Sequence, residues 1–215
     1  MARDGLAALA LAAVLAAAGA APGLAAEEAI LPLDAHTVPD ARALAGEYAG
    51  ELRALNAGLA RCAPELDVQR HGIGFRRPRG SAGGPPYLTL WVWLDPERPP
   101  RGPTLTSRAS AAFGRYGHGL FARLLDRSPV FADSRVGGYS LVLTWLGPTE
   151  RGGRLVGESL AVFADKLATA NFVHDTIGPA TFLARAEVRA FDGETELPPP
   201  ALVLDDGAAP AGLPC

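Results

Sequence analysis

Four side chains capable of acid–base chemistry lie between residues 158 and 175. Glu158, Asp165 and the adjacent pair His174 and Asp175 supply one imidazole and three carboxyl groups, the groups that general acid–base catalysis uses. His174, with Asp175 as its orienting partner and Glu158 reached through the fold, is therefore the candidate catalytic set. The alternative is a histidine at a helix end among solvated carboxylates. Convergence of His174 and Glu158 in one pocket would favour a hydrolase.

The sequence carries no metal-binding or nucleotide-binding motif. None of the four histidines pairs with another histidine or a cysteine at the spacing of zinc ligands. A nucleophile elbow of the form G-x-S-x-G and a P-loop are both absent from the sequence. We therefore expect no metal site and no cofactor.

Three arginines after residue 75 form the strongest candidate for binding an anion. Arg76, Arg77 and Arg79 lie in a segment rich in glycine and proline, and guanidinium groups recognise phosphate and carboxylate groups. The alternative is a solvated loop, since all but one of the 20 basic residues of this chain are arginine. Arg98 and Arg101 lie in the next proline-rich loop, which we expect at the opposite end of the following strand.

Aromatic side chains are concentrated in two predicted strands. Trp91 and Trp93 lie in the first, and Tyr139 and Trp145 lie in the second. We expect these four rings to share the sheet face that points away from the crossover helices. Such a face can stack on sugar rings or hold a peptide. The alternative is that the rings belong to the core, beneath the first helix.

Hydrophobic periodicity predicts a domain in which strands alternate with helices. Strands are expected at 66–75, 87–94, 138–146, 155–163 and 187–191, and helices from 38 to near Pro64, at 106–127 and at 166–185. From residue 87 onward the order is β-α-β-β-α-β, which predicts an α+β, ferredoxin-like split βαβ two-layer sandwich with an added N-terminal helix and strand. The first helix is expected to cover the aromatic face. A switch of apolar parity predicts a bulge near Gly72 or Gly74.

The two ends of the chain differ in composition from its middle. An apolar run that follows Arg3 and ends in small residues before Glu27 is typical of a secretory signal, so a periplasmic or secreted location is expected. An uncleaved membrane anchor is the alternative, although the run is shorter than a spanning helix. The predicted organisation is a signal peptide at 1–26, a lead-in segment at 27–37, a single domain at 38–197 and a flexible tail at 198–215.

Cys62 and Cys215 are the only cysteines of the chain. In an oxidising compartment an even pair predicts one disulfide, which here would tie the C-terminus to the first helix. The alternative is a buried free thiol, because Cys62 lies on the apolar stripe of that helix.

Composition and charge narrow the classes of function. A net charge of −3 with 48% hydrophobic residues indicates a globular domain without the basic excess of a nucleic-acid-binding protein. No segment after the signal is apolar enough to span a bilayer. We expect a non-catalytic envelope module that binds a protein partner, a glycan or a second copy of itself. The alternative is a small extracytoplasmic hydrolase that uses the histidine–carboxylate set.

Overall fold

A computed structural model describes residues 28–78, 83–126, 129–151 and 153–204. The helices are α1 (Pro39–Glu47), α2 (Ala49–Cys62), α3 (Leu105–Leu125), α4 (Lys166–Val173) and α5 (Pro179–Arg185). The strands are β1 (Asp67–Arg76), β2 (Tyr87–Trp93), β3 (Gly138–Arg151), β4 (Arg154–Asp165), β5 (Glu187–Asp192) and β6 (Thr195–Leu197). No helix within these ranges is long and apolar enough to cross a membrane. The predicted signal peptide lies outside them, as does most of the predicted tail, and the domain boundaries stay predictions.

The six strands form one mixed sheet that follows chain order from β1 to β6. β2 and β3 are parallel, and every other neighbouring pair is antiparallel. The α+β class is therefore confirmed, whereas the ferredoxin-like split βαβ arrangement is not. A split βαβ unit places another strand between the two strands that its helix connects. Here α3 returns the chain directly beside β2, and the hairpin partner β1 occupies the other side of β2.

The predicted bulge in β1 is present. Pairing with β2 is regular at Val68 and again from Ile73 onward, with a register shift between them. His71 has a φ of 59°, and a Cβ on Gly72 would lie 2.6 Å from the carbonyl oxygens of Gln69 and Trp91. Only glycine allows that close approach of the two backbones.

The helices share one core with a single face of the sheet. Leu88, Leu90 and Val92 of β2 point into this core. Because Leu88 is the register partner of Tyr139, the same face receives Tyr139 and Trp145, which are 0% and 1% exposed. The prediction that these two rings share a face with Trp91 and Trp93 is therefore wrong.

The leading helix also lies on the core side rather than over the aromatic face. It is divided at Tyr48 into α1 and α2, and the ring centroid of Tyr48 is 6.1 Å from that of Phe75. Phe75 pairs with Leu88 and so belongs to the core face. α2 contacts β1 and α3. The prediction that the first helix covers Trp91 and Trp93 is wrong, and in the described chain the second face of the sheet meets only the lead-in segment and the start of α1.

A cluster around Asp133 ties the loop before β3 to the junction of α1 and α2. The Asp133 carboxylate accepts hydrogen bonds from Tyr48 Oη (3.0 Å) and from Arg135 Nε (3.0 Å), and its side chain is 10% exposed. Arg135 also contacts Glu47 at 2.7 Å, and Lys166 Nζ donates to the Asp133 carbonyl oxygen at 2.6 Å. Hydrogen bonds from Arg135 hold the pKa of Asp133 well below its usual range.

Replacement of Asp133 by Asn is expected to lower the free energy of unfolding by about 1–2 kcal/mol at pH 7, since charge-assisted hydrogen bonds are lost. The folded-state pKa is lowered, so this stabilisation is fully present above about pH 4 and is lost as the pH falls further. Urea unfolding of Asp133→Asn and wild type at pH 7 and pH 3 checks this. The difference in free energy of unfolding between Asp133→Asn and wild type should be smaller at pH 3 than at pH 7. The control Asp34→Asn, at an exposed position, should unfold with the same free energy as wild type at pH 7. An equal difference for Asp133→Asn at both pH values would contradict the role of the charge.

Candidate functional site

The face of the sheet opposite the helices carries a cavity of about 770 Å³. Its floor consists of small side chains on the three central strands, and its walls are aromatic. The floor residues are Thr89, Val142, Ser159 and Ala161, and the wall residues are Trp91, Phe163 and Phe191. Ala35 and Ala41 of the helical segments 33–35 and 39–47 also line it. We call this cavity the helix-free groove, because its floor is formed by strands alone. Because side chains alternate between faces, each of these residues has the opposite parity to its buried neighbours on the core face.

The register explains why the groove crosses the strands. Trp91 of β2, Val142 of β3, Ala161 of β4 and Arg189 of β5 are successive partners across the sheet. The two central members of this row are small, so the row is low in the middle and high at its ends. With strands about 4.8 Å apart, the row from β2 to β5 spans roughly 14 Å.

Hydroxyl groups beside and beneath the groove are paired with one another. Trp91 Nε1 donates to Thr144 Oγ1 at 2.8 Å, and Thr144 Oγ1 lies 2.9 Å from Ser159 Oγ. Thr89 Oγ1 and Ser140 Oγ are 2.7 Å apart. These contacts hold the indole of Trp91 in place and satisfy the polar groups, so an apolar ligand can lie on this floor without leaving hydroxyls unpaired.

A basic rim closes the β1 end of the groove. Arg76 and Arg77 both line the cavity. Arg76 Nη2 donates to the His71 carbonyl oxygen at 2.5 Å, and Arg77 Nη2 lies 3.2 Å from the Asp40 carboxylate. The Nε atoms of both arginines are buried without a hydrogen-bond partner in the described chain. Burial lowers the pKa of Arg76, and such desolvated guanidinium groups favour an anionic partner.

The lead-in segment builds the wall above this rim. Ile30 bridges to Ile73 in β1, through hydrogen bonds from Leu31 N to Ile73 O (2.8 Å) and from Ile73 N to Ala29 O (2.9 Å). His36 follows and is 2% exposed. Since a carbonyl only accepts, His36 Nδ1 donates to Pro32 O at 3.0 Å. Burial lowers the pKa of His36, which keeps the imidazole neutral beside the two arginines.

Sequence reasoning identified some of these residues and missed others. Arg76, Arg77 and Trp91 were candidates from two separate patterns, and the structure brings them to one cavity. Trp93 lies on the same face next to the groove and donates to Gln69 Oε1. Arg79 lies outside the described residues. His36, Phe163 and Phe191 were missed; the small residues Gly157, Ser159 and Ala161 on the same parity as Phe163 were the available signal for a groove beside it.

The predicted catalytic set is not assembled. Glu158 is 2% exposed; it accepts hydrogen bonds from Arg108 Nε (2.8 Å) and Trp145 Nε1 (2.7 Å) on the core face. His174 is an exposed residue at the end of α4. The Asp175 side chain is 78% exposed and lies 3.4 Å from His118. Because Glu158 is enclosed by its own partners while the other two residues point to solvent, the three do not share a pocket.

The remaining predicted carboxylate and one of the two cysteines have structural positions. Asp165 caps α4, with its carboxylate accepting from Ala168 N at 2.7 Å. Cys62 is buried at the end of α2, and the described chain contains no free cysteine. Cys215 lies outside the described residues, so its pairing with Cys62 stays a prediction.

Comparison of the chain with models of protein families, with curated proteins and with solved structures finds no match. Within the described ranges no three His, Cys, Asp or Glu side chains are grouped as metal ligands would be. The groove and its basic rim are therefore the features from which a function must be argued.

Proposed function

We propose that this protein is a non-catalytic binding module that holds an amphipathic organic anion in the helix-free groove. The observation that carries the proposal is the sheet face itself, where a small-residue floor and aromatic walls lie beside two partly desolvated arginines. On the pattern of the N-terminal segment we place the module in the periplasm or outside the cell.

The size and lining of the groove suit a small ligand. Binding sites for small molecules have volumes of roughly 300–1,000 Å³ and are mostly apolar with a few placed polar groups. A cavity of about 770 Å³ with Trp91, Phe163 and Phe191 as walls fits that description. A flat aromatic or acyl body would lie across the floor between these rings.

The charges of the rim select the polar end of the ligand. Arg76 and Arg77 lie at one end of the groove, where Arg77 contacts the exposed carboxylate of Asp40, whereas Arg189 at the other end is paired with both Glu187 and Glu196. The neutral His36 adds no charge at the basic end. An elongated ligand would therefore place its carboxylate, sulfonate or phosphate group at Arg76 and Arg77 and its apolar body over Val142 and Ala161.

A pair of fluorescent dyes tests this arrangement. 8-Anilino-1-naphthalenesulfonate carries an anionic group, and N-phenyl-1-naphthylamine has a similar aromatic body without charge. We expect the sulfonate to bind one per chain and about tenfold more tightly than the amine. Replacing Arg76 and Arg77 by Gln should weaken sulfonate binding about tenfold and leave amine binding unchanged, because charge-assisted hydrogen bonds to the anion are removed.

Arg53→Gln on the exposed side of α2 is the control for a general loss of positive charge, and near-ultraviolet circular dichroism confirms that each variant keeps its tertiary packing. Equal affinities for the two dyes, or a sulfonate affinity that the double variant does not change, would show that the basic rim plays no part in binding.

A further inference from the structure

A second cavity, of about 380 Å³, lies between the loop that follows β2 and helix α3. Residues 97–101 line one side, with two prolines among them, and Ala111, Ala112, Arg115 and Tyr116 of α3 line the other. It lies on the helical side of the sheet and shares no lining residue with the helix-free groove. The small alanine side chains leave the space open.

Positive charge dominates this cavity. Arg98, Arg101 and Arg115 line it, and Glu97 is the only acidic residue among the lining side chains. None of the three arginines forms an ion pair within the described part of the chain, whereas Arg108 and Arg135 both contact carboxylates. All three arginines are exposed, so an anion that enters the cavity can reach their guanidinium groups.

Tyr116 adds a buried donor to the same cavity. Its side chain is 3% exposed, and its hydroxyl group has no hydrogen-bond partner in the described chain. Burial raises the pKa of Tyr116, so the phenol keeps its proton and can donate to an anion oxygen. The Arg115 guanidinium carbon lies 4.9 Å from the centre of the Tyr116 ring, so this guanidinium packs against the ring of the same cavity wall.

The loop is held in place independently of any ligand. Asp95 Oδ1 accepts from Glu97 N at 2.8 Å, and the Gly102 carbonyl oxygen accepts from Arg108 Nη1 at 2.9 Å. Pro99 and Pro100 have no backbone N–H to donate. The arginine side chains are therefore the main donors in this cavity, and guanidinium groups bind phosphate oxygens in paired geometry.

We propose that this cavity is a binding site for a phosphate group, held by Arg98, Arg101 and Arg115 with a hydrogen bond from Tyr116. A dianionic phosphate monoester matches the excess positive charge of the site better than a single carboxylate does. The site does not depend on the proposed function of the groove.

Isothermal titration of the mature chain with inorganic phosphate, at constant ionic strength maintained with chloride, tests the proposal. We expect saturable binding that weakens about tenfold or more when Arg98 and Arg115 are replaced by Gln. Arg53→Gln should bind phosphate as wild type does, and the groove variant with Arg76 and Arg77 replaced by Gln should retain the binding that the Arg98 and Arg115 double variant loses. Phosphate binding that is absent at millimolar concentration, or that is lost only in the groove variant, would overturn the proposal.

A second variant keeps the test independent of stability. Ala111 is exposed on α3, and Ala111→Glu would place a carboxylate among the three arginines. This variant is expected to unfold at a higher temperature than wild type and to lose its response to phosphate. Unchanged phosphate binding in Ala111→Glu would overturn the proposal.

The phosphate could belong to a soluble monoester or to a lipid headgroup. Glycerol 3-phosphate and phosphatidylcholine vesicles containing phosphatidate distinguish these sources. Binding of either one that is lost in the Arg98 and Arg115 double variant supports the site and identifies the source. Failure of both to bind would overturn the assignment to a phosphate monoester.

Discussion

Glu158→Gln is expected to lower the free energy of unfolding by about 3–5 kcal/mol, the largest single effect we foresee in this chain. Glu158 is joined to Arg108 by two hydrogen bonds of 2.8 and 2.5 Å and also accepts from Trp145 at 2.7 Å. Both charges are nearly enclosed, with side-chain exposures of 3% for Glu158 and 10% for Arg108. Neutralising one partner leaves the other buried without compensation. Guanidinium chloride unfolding measures the effect.

The companion variants separate the cost of an unpaired charge from the net value of the pair. Arg108→Met alone should be costly for the same reason, while Arg108→Met combined with Glu158→Leu should recover most of the loss, because a packed apolar pair no longer requires desolvated charges. Dye binding in the helix-free groove should stay unchanged in Glu158→Gln, since the pair lies on the opposite face of the sheet. A loss below about 1 kcal/mol in Glu158→Gln would contradict this account.

The helices and strands could be predicted from the sequence because each follows from the hydrophobic periodicity of its own segment. The apolar stripe of α3 and the alternation of β2 each carry one dominant period, and the structure places α3 at Leu105–Leu125 and β2 at Tyr87–Trp93. The parity switch in β1 likewise indicated a bulge, since glycine is required where the backbone of Gly72 approaches that of Trp91.

The pairing of the strands could not be predicted in the same way. A β-α-β-β-α-β order fits several sheets, and a choice among them depends on long-range packing. α3 connects β2 to a direct parallel neighbour, which gives a sheet in chain order rather than a split unit. The register of that pairing also determines which side chains of β2 and β3 share a face of the sheet. Leu88 aligns with Tyr139, so the aliphatic side of β2 and the aromatic side of β3 both face the core.

Trp145 shows why residue type alone did not reveal its face. A tryptophan can line an open surface or lie in a core, and in a core its N–H requires an acceptor. Glu158, 13 residues later, provides that acceptor, and the two residues are register partners in β3 and β4. Glu158 was taken from the sequence as a catalytic candidate because nothing local indicates that Arg108 and Trp145 enclose it.

The candidate site was predicted in parts but not as a whole. Arg76 is the register partner of Tyr87, so the arginines at the end of β1 lie beside the start of β2 and line the same groove as Trp91. His36 comes to this place only because the lead-in segment bridges to Ile73. The positions of the arginines and of His36 both depend on pairing between distant parts of the chain, and the hydrophobic periodicity of the sequence carries no information about such pairing.

The two faces of the sheet differ in a way that bears on function. Large apolar side chains fill the core face, whereas Val142, Ser159 and Ala161 occupy the centre of the other face. The small centre between aromatic walls is consistent with a surface that receives a ligand, which is why the groove carries the proposed function.

Val142→Trp is expected to weaken binding of both naphthalene dyes by about 10–100-fold, because an indole at the centre of the floor would occupy the space between Trp91 and Ala161. Position 142 is half-buried in β3, and tryptophan is favoured in strands, so thermal stability should change little. Leu146→Trp is the control: it adds the same ring to the same strand and face, at an exposed position outside the groove. Fluorescence titration of the two variants should separate them clearly. If Val142→Trp kept the dye affinities of wild type while remaining folded, the dyes would bind elsewhere and the helix-free groove would not be the ligand site.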